Sequence, residues 1–69
     1  MSNNTPIEIG DRFEDKDPRN EGRIIKVIEK DANRYRIETE VHPTNPRAVG
    51  RTFTVHESTL RNRYRKVSH

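Results

Sequence analysis

One run of eight residues constrains the fold of this chain more than any other. Arg34-Tyr35-Arg36-Ile37-Glu38-Thr39-Glu40-Val41 alternates without a break between charged residues and apolar or β-branched ones. A period of two marks a half-buried strand. Tyr35, Ile37, Thr39 and Val41 line one face, and Arg34, Arg36, Glu38 and Glu40 line the other. A helix would scatter the same apolar residues around its cylinder.

The rest of the chain reads as further short strands separated by turn chemistry. Ile7 and Ile9 alternate around Glu8, and Gly10-Asp11 turns the chain. Arg12-Phe13-Glu14 is expected as a first strand, with Phe13 inward. Asp15 to Glu21, with Asp15, Asp17, Pro18 and Asn20, followed by Gly22, is loop chemistry, because Asp and Asn bond nearby backbone and Pro presets φ. Arg23 to Lys30 reads as a second strand, with Ile25 and Val27 on one face and Ile24, Lys26 and Ile28 on the other. Asp31-Ala32-Asn33 forms the hairpin turn, with Asn33 able to take positive φ. His42 to Gly50 is an exposed loop. Arg51 to His56 is a fourth strand, with Phe53 and Val55 inward. Glu57 to Leu60 reads as one helical turn, capped by Ser58, that drops Leu60 into the core. Tyr64 to Val67 returns as a fifth strand. The expected core is Phe13, Ile25, Val27, Ile37, Phe53, Val55 and Leu60.

Composition limits how such strands can be stabilised. At 69 residues there is room for one domain, and a chain this short buries only about 60% of its unfolded surface. With 28% hydrophobic and 36% charged residues, disorder is the first alternative. The modest net charge of +3 and the ordered placement of five Val and six Ile argue for a folded core. Cys is absent, which excludes disulfides, thiolate metal sites and Cys nucleophiles. The longest apolar run, Ile24-Ile25, is broken by Lys26, far short of the ~20 residues of a membrane helix. Met1-Ser2-Asn3-Asn4 offers no apolar leader, so a cytoplasmic protein without membrane contact is expected. Residues 1–6 lack packing residues and read as a flexible tail; residues 7–69 read as a single domain.

Five short strands, turn-rich loops and one helical turn before the last strand describe an all-β fold, a small five-stranded antiparallel SH3-like barrel with one short 3₁₀ turn. Closure would remove edges that so short a chain cannot cover. The run Gly10-Asp11-Arg12-Phe13, then Asp15, Asp17, Pro18, Arg19, Gly22, Arg23 and Val27, is similar to a group of small domains of actinobacteria and their bacteriophages. Thr54, Val55, Leu60, Arg61 and Tyr64 fit the same layout. Those domains resemble SH3-like, KOW-like or Tudor-like barrels, mostly of unassigned function. The resemblance implies a phage or bacterial accessory module and transfers no catalytic residue.

Motifs of catalysis are missing from this reading. Gly10, Gly22 and Gly50 are isolated turn residues rather than a phosphate loop. His42, His56 and His69 lack metal-ligand spacing. Asp11, Glu14, Asp15 and Asp17 lack the order of a calcium loop and read as turn formers. His56 lies near Ser58 and Thr59, but no buried acid is in place to orient a triad. No cofactor or metal is expected, and no enzymatic activity.

Charge carries the remaining functional signal. Residues 1–31 hold eight acidic and six basic residues, whereas residues 32–69 hold three and eight. Ten of the fourteen basic residues are Arg, whose planar fork suits phosphate and carboxylate. Arg61, Arg63, Tyr64, Arg65 and Lys66 form a basic stretch with one aromatic, and Arg34, Arg36, Arg47 and Arg51 could join it. Two functions follow. The favoured one is a non-catalytic module docking on a host or assembly protein through loops and arginines. The alternative is a nucleic-acid-binding module, for DNA or RNA, that uses these cations for phosphates and Tyr64 for stacking. Tyr64 also reads as a core lid. Exposed aromatics are too few for a methyl-lysine cage or a PxxP groove.

Overall fold

The computed structural model describes residues 6–67. They form five strands in one antiparallel sheet: β1 (Arg12–Asp15), β2 (Ile24–Asp31), β3 (Arg34–Val41), β4 (Thr52–His56) and β5 (Tyr64–Lys66). A helix, α1 (Glu57–Arg63), joins β4 to β5. Short 3₁₀ turns, Pro18–Asn20 and Pro46–Ala48, sit inside the two long loops. In each, proline opens the turn with its preset φ. The sheet order is β4-β3-β2-β1-β5. The sheet is open: β4 and β5 are its two edges, and they are not paired to close a barrel by hydrogen bonds.

The alternation of β3 positions the core. Tyr35, Ile37 and Thr39 are buried, opposite β2, where Val27 pairs with Ile37 and Ile25 with Thr39. With Ile7, Phe13, Leu60 and Tyr64 they make one apolar cluster. Ile7 is buried; the expected tail lies, apart from Pro6, outside the described residues. Phe53 and Val55 are only half-buried, because β4 is an edge strand with a neighbour on one side.

Val41 departs from the expectation: it is 47% exposed. The register explains it. Ile24 pairs with Val41 and Ile25 with Thr39, so Glu40 is an extra residue in β3. A bulge breaks the period of two, and Val41 falls out of step with Thr39. The same bulge turns the Glu40 carboxylate toward β1, where Arg12 Nε donates to Oε1 at 2.6 Å. A second shift makes Ile28 the extra residue of β2.

Two further expectations are corrected. The β2–β3 turn uses Ala32, at φ 52, rather than Asn33 as its positive-φ residue. The segment after β4 is a seven-residue α-helix instead of a single 3₁₀ turn, and Ser58 does not cap it; His56 holds the N-cap position with no side-chain bond. Charge favours this helix: Glu57 lies in its first turn, Arg61 and Arg63 lie in its last, and Arg61 Nε donates to Glu57 at 2.9 Å. Leu60 is fully buried, as expected.

Candidate functional site

The parity of β2 extends one residue further than its apolar content suggests. Arg23 precedes Ile25 and Val27 by steps of two, and its side chain follows them inward. The guanidinium lies over the Phe53 ring, 5.3 Å from its centroid, and 6.0 Å from that of Tyr64. Phe53 belongs to β4 and Tyr64 to β5, so Arg23 spans the gap between the two edges of the sheet. Its Nη1 donates to Asp15 Oδ2 at 3.1 Å and to the Tyr64 hydroxyl at 3.3 Å. The Asp15 side chain is 8% exposed and that of Arg23 16%. This is a nearly buried ion pair with an aromatic floor, a setting that strengthens cation–π attraction. Arg23 Nε is buried and has no hydrogen-bond partner among the described residues.

The loop from Lys16 to Arg23 is built by its aspartates. Asp15 Oδ1 accepts from the Asp17 backbone at 2.9 Å, and Asp17 Oδ1 accepts from the Arg19 backbone at 3.0 Å. The turn-forming reading of these residues therefore describes what they do. Arg19 also grips Asp17 with its guanidinium, Nη2 to Oδ2 at 3.0 Å. That hydrogen bond, chiefly, holds the Asp17 carboxyl below its ordinary range, with a smaller contribution from the charge of Arg63. Lys16 fastens the loop to α1: its backbone N–H donates to Arg63 O and its ammonium to Asn62 O. These are C-terminal helix carbonyls, which otherwise lack partners.

Together these elements enclose a cleft of ≈ 410 Å³. Asp15, Lys16, Asp17, Asn20 and Arg23 line one side, and Arg63 and Tyr64 the other. The His42–Gly50 loop approaches the same end of the sheet: a Cβ on Gly22 would stand 2.9 Å from Pro43 Cγ.

The nine residues singled out from the sequence do not form one surface. The Arg61-to-Lys66 stretch is cut by the junction of α1 and β5 at Arg63–Tyr64, so Arg61, Arg63 and Arg65 share no strand face. Arg61 pairs with Glu57, Arg65 with Glu14 at 3.4 Å, and Lys66 with Asp11 at 3.3 Å. Tyr64 is 8% exposed, which makes it a core residue and not a stacking platform. On the outer face of the hairpin, Arg34 stands opposite Asp31, Arg36 opposite Glu29 and Lys26 opposite Glu38. These cross-strand opposites neutralise that face. Arg47 and Arg51 belong to the His42–Gly50 loop and its exit, are exposed, and make no ion pair among the described residues. Of the nine, Arg63 and Tyr64 reach the cleft.

The sequence reading missed Asp15, Lys16, Asp17, Asn20 and Arg23 as site residues. Parity with Ile25 and Val27 was the available signal for Arg23. For the aspartates and Asn20, turn-forming and site-lining roles coincide, and composition cannot separate them. Among the described residues no three His, Asp or Glu side chains group to hold a metal, and no helix is long and apolar enough to cross a membrane. Comparison with known proteins finds no matching family model, no matching curated relative and no matching solved structure.

Proposed function

We propose that the chain is a non-catalytic protein-binding module of SH3-like layout, engaging its partner through the cleft between the Lys16–Arg23 loop and the α1–β5 junction. The carrying observation is the cleft itself. It joins residues forty or more positions apart in the sequence and gathers charged groups of both signs around the guanidinium of Arg23. Strand order and the helix before the last strand support the layout. Small barrels and sheets of this kind host many activities, so the reading rests on the site and not on the fold. The split and paired basic stretch weakens the nucleic-acid alternative, because phosphate tracking needs unneutralised cations along one face.

A photo-crosslinking amino acid placed at Asn20, in the cleft, and separately at Thr54, on the outer face of β4, tests the reading. In nuclease-treated lysate of the source cells, Asn20 should yield a discrete protein adduct and Thr54 should not. Circular dichroism of both variants checks that they fold. Adducts at Thr54 alone, or adducts at Asn20 that vanish on nuclease treatment, would overturn it.

A further inference from the structure

The net charge of +3 is unevenly placed in space. The loop end of the sheet comprises residues 15–23, residues 42–51 and Arg63. It holds six basic residues against three acidic ones. The remaining eight basic and eight acidic residues of the chain cancel. The whole formal net charge therefore lies at the end of the sheet that carries the cleft.

The pairing pattern sharpens this. Away from the loop end, Arg12, Arg36, Arg65 and Lys66 each have a carboxylate within 4.0 Å; Lys26, Lys30 and Arg34 have none among the described residues, but Lys26 and Arg34 stand opposite Glu38 and Asp31 in the register. At the loop end, Arg47, Arg51 and Arg63 have none among the described residues. The acids of the cleft are already engaged: Asp15 by Arg23 and the Asp17 backbone, and Asp17 by Arg19. Donors are in surplus, since Arg23 makes its bonds through Nη1 while Nε has no acceptor. A cationic ligand would find its carboxylates taken. An anionic ligand would find open guanidinium groups, which bind carboxylates through paired N–H donors.

The form of the anion follows from the surroundings. Tyr64 is buried and Phe53 is covered by Arg23, so no aromatic is presented for base stacking. Of the open cations, Arg63 lines the cleft, while Arg47 and Arg51 lie in and just after the loop whose Pro43 approaches Gly22, so they form no strand-long row. Building on the protein-binding reading above, we infer that the cleft takes an acidic segment of its protein partner. The segment's carboxylates meet Arg63 and the rim of Arg23, and Arg47 and Arg51 add to the positive field from the neighbouring loop. The attraction is partly exposed and falls with salt.

Fluorescein-labelled hexaglutamate, titrated into the ¹⁵N-labelled full chain, provides the test, with a single-stranded oligothymidylate as the competing probe. Amide shifts should concentrate at Lys16–Arg23 and Arg63–Tyr64 and weaken between 50 and 300 mM salt (about 14 and 6 Å of screening). Arg63→Glu should weaken hexaglutamate binding roughly tenfold or more, and Arg34→Glu, at the far end of the hairpin, should leave it unchanged. Shifts confined to the β2–β3 face, or equal losses in both variants, overturn the inference. So does oligothymidylate binding at the cleft more tightly than hexaglutamate. Absence of hexaglutamate binding alongside a protein adduct at Asn20 overturns the acidic segment and keeps the protein-binding reading; absence of the adduct overturns that reading itself.

Discussion

Arg23 occupies a position where the alternation of β2 would ordinarily place an apolar side chain. Its charge is tolerable there because Asp15 and Tyr64 accept from it and two rings lie beneath it. A nearly buried pair of this kind contributes little against an apolar substitute, but breaking it is costly. Arg23→Met should therefore destabilise the protein by about 3 kcal/mol, since Asp15 is left charged and unpaired. Asp15→Asn keeps the oxygen that accepts from Asp17 and removes the charge. The double variant should recover at least half of the loss, as read by urea denaturation. A double variant as unstable as the sum of the two singles would show that the pair is not coupled. Glu40 illustrates a half-buried pairing, more exposed than that of Arg23. The hydrogen bond from Arg12, followed by the charges of Arg12 and Lys26, holds its carboxyl below the ordinary 4.5. The unfolded chain then takes up this proton first as pH falls. Its stabilising contribution is complete above about pH 4.5 and is lost as pH drops through the folded value. Glu40→Gln should flatten the stability profile below pH 4.5 and leave its shape at neutral pH unchanged, as measured by thermal melts across pH.

At the scale of elements, the β2–β3 hairpin concentrates both the order and the strain. Its two-residue turn demands a left-handed backbone, and Ala32 adopts it at φ 52. That conformation costs an L-residue about 1–2 kcal/mol, of which glycine would return part, offset by its freer unfolded chain. Ala32→Gly should stabilise by about 0.5 kcal/mol and raise Tm by roughly 2–4 °C. Asn33→Gly should give no such gain. β3 was legible because nothing interrupts its alternation up to Thr39; Val41 was misplaced because a bulge is a register event between strands, invisible within one of them. α1 was underestimated because Arg61, Arg63 and Arg65 also fit a period of two. What favours the helix is a pair four residues apart, Glu57 and Arg61, together with the burial of Leu60. The five strands themselves were readable from turn residues. The cleft was not, because its two walls come from segments about forty residues apart, and only the pairing of β1 with β5 brings Asp15 beside Tyr64.

For the molecule as a whole, the position of charge matters more than its total. Residues 32–69 carry the basic excess in the sequence, yet folding pairs part of that charge with acids of the first half, as in Arg36 with Glu29, Arg65 with Glu14 and Lys66 with Asp11. What survives is a basic loop end on a largely balanced body. Two triple variants of equal formal charge separate these regions. Replacing Arg47, Arg51 and Arg63 with Ala removes unpaired loop-end cations. Replacing Arg34, Arg36 and Arg65 with Ala removes three that stand opposite or bond to Asp31, Glu29 and Glu14. Polyanion retention depends on the local field and on counterions released from neutralised sites, not on net charge alone. On a heparin column, the loop-end variant should elute at clearly lower salt than the parent chain, and the second variant much closer to it. Circular dichroism and thermal melts of both variants establish that the difference is not unfolding. If the two variants elute together, the field follows the sum of charges and the loop end is not the basic pole of the molecule.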